Sequence, residues 1–276
     1  MDYDEILRVA LGIARHAAQL IQNDFPGTAL QNVERKGAVD PVTETDRASE
    51  RLIVDGLHAA FPDFRILAEE RDGENWRSWS ETGAPLWLID PLDGTANFAH
   101  GFPFVGLSLG LLVDARPVLG IVADPLRDEW FTATERGGAQ LNGQPIRVSS
   151  VERLADAFLA TGFPYNRRTA ADNNAQRVDH FLRRSHGLRR AGAATLDLAY
   201  VACGRLDGFW ELGLHPWDVA AATLIVNEAG GRVTNFEGGP DYLSGQFVVA
   251  SNRRIHAEML RVLREKERAP HPDSPV

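Results

Sequence analysis

Two short apolar runs, Phe64-Arg65-Ile66-Leu67-Ala68 and Leu86-Trp87-Leu88-Ile89, end directly in carboxylates: Glu69-Glu70 after the first, Asp90 after the second. Runs of this length read as buried strands. Two acidic strand ends in one sheet can converge at its carboxyl edge, where ligands commonly bind. Such a chain must cover its sheet with other layers; distance along the chain does not by itself bring the two acidic ends together.

The segments around these strands supply the covering layers. Ile6, Ala10, Ile13, Ala17 and Leu20 recur at helical spacing, and Pro26-Gly27 closes that helix. A second helix is expected to begin near Thr45-Asp46, whose side chains can cap free N–H groups, and to stop before Pro62. Val105 to Val113 and Pro117 to Val122 read as strands joined at Asp114-Ala115. Asn142-Gly143 is a hairpin signal between Ala139-Gln140-Leu141 and Ile146-Arg147-Val148. Strands follow at Ala157 to Ala160, around Leu188-Arg189-Arg190, at Gly208-Phe209-Trp210 and at Val248-Val249-Ala250. Helices are expected over Ala171 to Arg184, Thr195 to Ala202, Val219 to Ala229 and Ile255 to Lys266. The fold class is α/β (α+β), with one domain over 1–266, sub-halves of about 1–150 and 151–266, and a disordered tail at 267–276.

Composition narrows the function classes. A net charge of −9 argues against direct nucleic-acid binding, which needs cations facing phosphates, and suits a chain that collects carboxylates around metal cations. The single cysteine, Cys203, forms no internal disulfide, which favours a reducing, cytoplasmic setting. Acidic residues at the N-terminus are unlike a signal peptide, and no run of about 18 apolar residues predicts a membrane span.

Asp90-Pro91-Leu92-Asp93-Gly94-Thr95 carries most of the chemistry. Asp-x-x-Asp alone fits a helix-capping turn. After a buried strand, the full string instead holds two carboxylates close, and a hard divalent cation such as magnesium relieves their repulsion. Gly94 lets backbone approach a ligand, and N–H groups near Gly94-Thr95 can face an anion. Glu69-Glu70 alone fits a solvated loop, and Asp218 fits a helix N-terminal charge as well as it fits a ligand. His215 lacks a partner at ligand spacing, Cys203 reads as packing in an apolar helix, and the Arg167-Arg168, Arg183-Arg184 and Arg189-Arg190 pairs read as solvated faces.

Asp90 to Phe98 resembles the signature of the inositol monophosphatase family. So do Trp217-Asp218-Val219-Ala220-Ala221-Ala222 through Glu228-Ala229-Gly230-Gly231, the stretch Arg189 to Tyr200, and Asp40-Pro41-Val42-Thr43-Glu44-Thr45-Asp46. The resemblance runs from about residue 4 to 266 and is to the bacterial extragenic-suppressor type. It implies an α-β-α-β-α layered sandwich and a homodimer. It implies metal ligands at Glu69, Asp90, the Leu92 carbonyl, Asp93 and Asp218, with Thr95, Asp46 and Glu70 handling the attacking water. Gly94 and Thr95 then hold the phosphate, and Gly192, Ala193, Ala194 and Glu211 meet the alcohol. Ala68 stands where the family commonly has glycine, a small shift that leaves both glutamates in place.

The activity implied is magnesium-dependent, lithium-sensitive hydrolysis of inositol monophosphate by metal-activated water. Relatives with other phosphates leave fructose 1,6-bisphosphate, histidinol phosphate and 3′-phosphoadenosine 5′-phosphate as alternatives. The extragenic-suppressor type adds a possible partner in transcription and ribosomal RNA processing.

Overall fold

The computed structural model describes residues 1–25, 34–35, 41–72 and 83–265. Pro26-Gly27, residues 36–40, Lys266 and residues 267–276 lie outside them.

Helices α1 (Tyr3–Asp24) and α2 (Glu44–Ala60) form an outer layer, beside a small ladder of β1 (Glu34–Arg35) and β2 (Pro41–Val42). Beneath them lies a seven-stranded sheet in chain order: β3 (Arg65–Ala68), β4 (Leu86–Asp93), β5 (Gly106–Val113), β6 (Arg116–Asp124), β7 (Glu129–Thr134), β8 (Gly138–Leu141) and β9 (Gln144–Pro145). Only β3 and β4 are parallel; the other neighbours are antiparallel. Short helices α3 (Glu69–Asp72) and α4 (Thr95–Ala99) follow β3 and β4 at their carboxyl ends.

The second sheet has the order β11 (Gly187–Arg189), β10 (Phe158–Thr161), β12 (Gly208–Leu212), β14 (Phe247–Ser251), β13 (Arg232–Thr234). Helices α5 (Ala175–Leu182) and α8 (His256–Leu263) cover its outer face, where Phe181, Trp210, Val249 and Met259 share one core. Between the sheets lie α6 (Ala194–Ala202) and α7 (Pro216–Glu228), packed on Phe131 and Ala133 from one sheet and Phe209 and Val248 from the other. The layering is the α-β-α-β-α sandwich that the family resemblance implies.

Burial explains the middle layer. From Pro216 to Val226 every residue of α7 is buried, as expected of a helix apolar all round. It can lie this close because β5 and β6 carry Gly110 and Gly120 beneath it. A Cβ at Gly120 would sit 2.6 Å from the Ala221 carbonyl, and one at Gly110 2.9 Å from the Ala221 nitrogen.

Several expectations shift in detail. The buried face of α1 is Ile6, Ala10, Ala14, Ala17, Ala18 and Ile21. Ile13 turns aside to lie over Gly56 of α2, and Leu20 is half-buried. Helix α5 starts at Ala175 rather than Ala171, because Asn174 holds φ 71 and breaks the helical run. After the Asn142-Gly143 turn the return strand is only Gln144-Pro145, since Pro145 cannot donate to a ladder; Ile146 to Val148 is not strand. Strands β7 and β13 were not expected, and Cys203 caps α6 rather than lying within it.

Candidate metal and phosphate site

The end of β4 explains how two aspartates three residues apart reach one cleft. Asp90 pairs with Ser108 and Asp93 with Gly106, so three steps along β4 face two along β5. In a regular strand residues 90 and 93 point to opposite faces; the bulge brings both carboxylates to the same cleft. Pro91 fits there because a bulge frees its position from donating to the ladder. Asp90 Oδ1 accepts from the Leu92 N–H at 3.1 Å, which closes the turn. Gly94 then takes φ +87 at the start of α4, where a Cβ would stand 3.0 Å from the Phe104 carbonyl.

Three acidic ends meet here. Glu69 opens α3, Asp90 ends the apolar run of β4, and Asp218 lies in the first turn of α7. One carboxylate oxygen from each lies within 4.8 Å of the others. Asp218 is fixed by the His215 N–H, which donates to its Oδ2 at 2.8 Å, while the His215 ring stacks on Trp217 at 4.8 Å. Asp93 stands beside the trio: its Oδ2 accepts from the Thr195 N–H at 2.7 Å and the Thr195 hydroxyl at 2.5 Å. That pair ties β4 to α6 across the cleft.

Helix α2 presents three polar residues on one buried face, at positions i, i+3 and i+4. Asp46 Oδ1 accepts from the Thr95 hydroxyl at 2.8 Å, and that hydroxyl also lies 3.1 Å from the Leu92 carbonyl. Ser49 donates to the Pro91 carbonyl at 2.8 Å. Glu50 Oε2 accepts from the Glu70 N–H at 2.7 Å. A Thr43 capping box holds Asp46 in turn. Asp46 belongs to the expected site; Ser49 and Glu50 were missed, and their helical spacing from Asp46 was the available signal.

The electrostatics are those of crowded anions. Burial pushes the Asp90 carboxyl well above its ordinary range, and Glu69, Asp93 and Asp218 push it further. Burial also raises Asp93. Asp46 is raised to about 6, mainly by burial. Holding such groups together is costly without a cation. Every donor offered is a carboxylate or carbonyl oxygen, a set that fits magnesium.

The opposite wall is built from the second sheet and α6. Glu211 at the end of β12 is buried, and burial raises it to about 8. Asp197 of α6 is raised well above its usual range by burial, then by Glu211 and Asp93. Gly192 and Ala194 line the cleft, whereas Ala193 is buried behind it, where a Cβ at Gly94 would come 3.3 Å from its own. Arg190 and Arg167 also line the cleft; Arg190 is exposed there, as a solvated face would be, while Arg167 is half-buried. Asp197 and Gly162 were missed as well. No sequence spacing links them to the β4 aspartates.

A layered α/β protein whose strand and helix ends converge on a buried carboxylate centre is the class these features define. The inositol monophosphatase family model matches residues 2–268, and the chain belongs to that family. It is 42% identical over 265 residues to the protein named Nus factor SuhB of Pseudomonas aeruginosa, covering 94% of this chain and 95% of that one. It is also 42% identical to inositol monophosphatase 2 of Solanum lycopersicum, covering 96% and 100%. Among solved structures, the extragenic suppressor protein SuhB of Bartonella henselae superposes with a TM-score of 0.85 at 37% identity, covering 95% and 99%. The inositol monophosphatase of Anabaena gives 0.82 at 37%, covering 95% and 96%.

Proposed function

We propose that the chain is a magnesium-dependent phosphomonoesterase that hydrolyses inositol monophosphate, with Glu69, Asp90, the Leu92 carbonyl, Asp93 and Asp218 as ligands. The observation that carries this is the trio of Glu69, Asp90 and Asp218, whose oxygens gather within 4.8 Å although burial and like charge oppose it. Bound magnesium supplies charge for the phosphate oxygens and acidifies a water molecule.

The chain's own groups do the rest. The Thr95 hydroxyl donates its hydrogen bond to Asp46, which leaves its oxygen free to accept one from the attacking water. Asp46, held near 6, is ionised at neutral pH yet basic enough to receive a proton passed through Thr95. Glu70, whose charge raises Asp46, shares this role. The N–H groups of Gly94 and Thr95 take the phosphate. Gly192, Ala194 and Glu211 take the alcohol, with Ala193 packed behind them; Glu211, held near 8, keeps a proton at neutral pH and can both donate to and accept from hydroxyls.

The same proposal includes a homodimer in the cytoplasm and inhibition by lithium. The name Nus factor, carried by the Pseudomonas relative, favours a second role beside catalysis, as a partner of the transcription machinery. Pull-down with the metal centre disabled separates the two roles.

The test is a turnover panel with magnesium, comparing inositol monophosphate with fructose 1,6-bisphosphate, histidinol phosphate and 3′-phosphoadenosine 5′-phosphate. Inositol monophosphate should give the highest kcat/KM. Chelator should abolish activity, magnesium should restore it, and calcium should substitute poorly. Full activity in chelator would overturn the metal role, and preference for another substrate would reassign the alcohol.

A further inference from the structure

The ladder between β10 and β12 ends at the pair Thr161 and Trp210. Gly162 and Glu211, which together form part of the cleft wall, lie one residue beyond it. Glu211 is still held on its other side, opposite Val248 of β14. Gly162 has no ladder partner in the described sheet, so its place falls to a side chain.

That side chain is Asn174. Its Nδ2 donates to the Thr161 hydroxyl at 2.8 Å and to the Gly162 carbonyl at 2.6 Å, and its Oδ1 accepts from the Trp210 indole at 2.9 Å. The Thr161 hydroxyl passes the chain on to the Trp210 carbonyl at 2.6 Å. Asn174 is 1% exposed and adopts φ 71, a conformation asparagine tolerates better than most residues. A strained residue persists only where its surroundings over-determine it, and such residues gather at functional sites. Trp210 is itself locked by stacking on Phe181 of α5 at 4.0 Å.

The tolerance at the wall is small. The Glu211 carboxyl lies against the Gly162 Cα, so closely that a Cβ there would stand 2.0 Å from Oε1. A slight drift of Gly162 changes the space and orientation available to that carboxyl. We propose that Asn174 is a positioning residue for the alcohol end of the cleft: it sets Gly162 against Glu211, and through Glu211 the choice of substrate. This rests on Glu211 being the group that meets the alcohol.

The experiment compares Asn174→Gly, which keeps the backbone conformation and removes the amide, with Trp210→Phe, which keeps the stack and removes one N–H. Each is made alone and with Glu211→Ala, and assayed on inositol monophosphate and on an aryl phosphate without hydroxyls. Thermal melts establish that each variant is folded, and Trp210→Phe carries the test if Asn174→Gly does not fold. The expected result is a KM for inositol monophosphate raised about tenfold, with the aryl phosphate nearly unchanged and with no further rise once Glu211 is already gone. Effects that simply add to those of Glu211→Ala would overturn the positioning role. If Glu211→Ala alone shifts both substrates equally, the alcohol reading of Glu211 fails, while the cycle still reports whether Asn174 acts through it.

Discussion

At Asp93 a single carboxylate oxygen receives two hydrogen bonds from Thr195 while the group as a whole adds to the charge around Asp90. Asp93→Asn keeps the volume and removes the charge. We expect turnover to fall about 100-fold or more, equivalent to roughly 3 kcal/mol of lost transition-state stabilisation. The melting temperature should stay within a few degrees, because relief of repulsion offsets the weakened Thr195 contact. Near-normal turnover at saturating magnesium would remove Asp93 from the ligand set. Gly162→Ala tests the opposite wall: its methyl group has no room beside the Glu211 carboxyl. The KM for inositol monophosphate should rise several-fold or more while an aryl phosphate is spared; equal effects on both would argue for general damage. These residues also mark the limit of sequence reading. Asp90, Asp93 and Asp218 were legible because each sits where an apolar element begins or ends. Gly162 and Asp197 were not, since their neighbours in space are set by how the second sheet closes on α6.

Elements carry their own tests, and the start of α8 gives the clearest one. His256 is buried between two hydroxyls, Thr234 Oγ1 at Nε2 and Ser251 Oγ at Nδ1, both at 2.9 Å. Burial, then the charge of Arg232, lowers its pKa to about 4. The unfolded chain therefore takes up this proton first as pH falls. The stability associated with neutral His256 is fully present above pH ~6.5 and is lost between there and about 4. At pH 5 the loss should be about 2 kcal/mol, seen as a lower urea midpoint than at pH 7.5. In His256→Asn that part of the pH dependence should disappear; an unchanged slope would show that other groups carry it. At this scale the sequence was most legible where a pattern was long. Helix α7 and strands β3, β4, β5, β6 and β8 were expected within a few residues, and the Asn142-Gly143 turn was found where expected. Strands β7 and β13 were missed because Thr132, Thr134 and Arg232 dilute short apolar patterns that only pairing with neighbours completes.

Across the whole molecule the carboxylate centre joins elements that lie far apart along the chain. Its members come from α3, β4 and α7, so a cation bound there favours the assembled sandwich over every opened form. Magnesium at about 100 times its dissociation constant should add roughly 2.7 kcal/mol, or about 5–10 °C in melting temperature. Asp218→Asn should abolish most of that gain, and an equal rise in the variant would place the ion elsewhere. Lithium should inhibit uncompetitively with substrate, because a singly charged ion is expected to enter after the ester bond breaks and to trap bound phosphate. The check is a titration at several substrate levels with sodium chloride matching ionic strength; purely competitive inhibition would contradict the trapped-product scheme.

Asp218 also has a place in time. A chain leaving the ribosome presents Glu69 and Asp90 long before α7 exists, and domains take shape as their segments arrive. Until α7 seats its backbone over Gly110 and Gly120, the two early carboxylates have no third partner to close the trio. On the proposed metal role, tight cation binding would begin only once α7 has emerged and docked, so the growing chain would acquire its charge compensation late in synthesis.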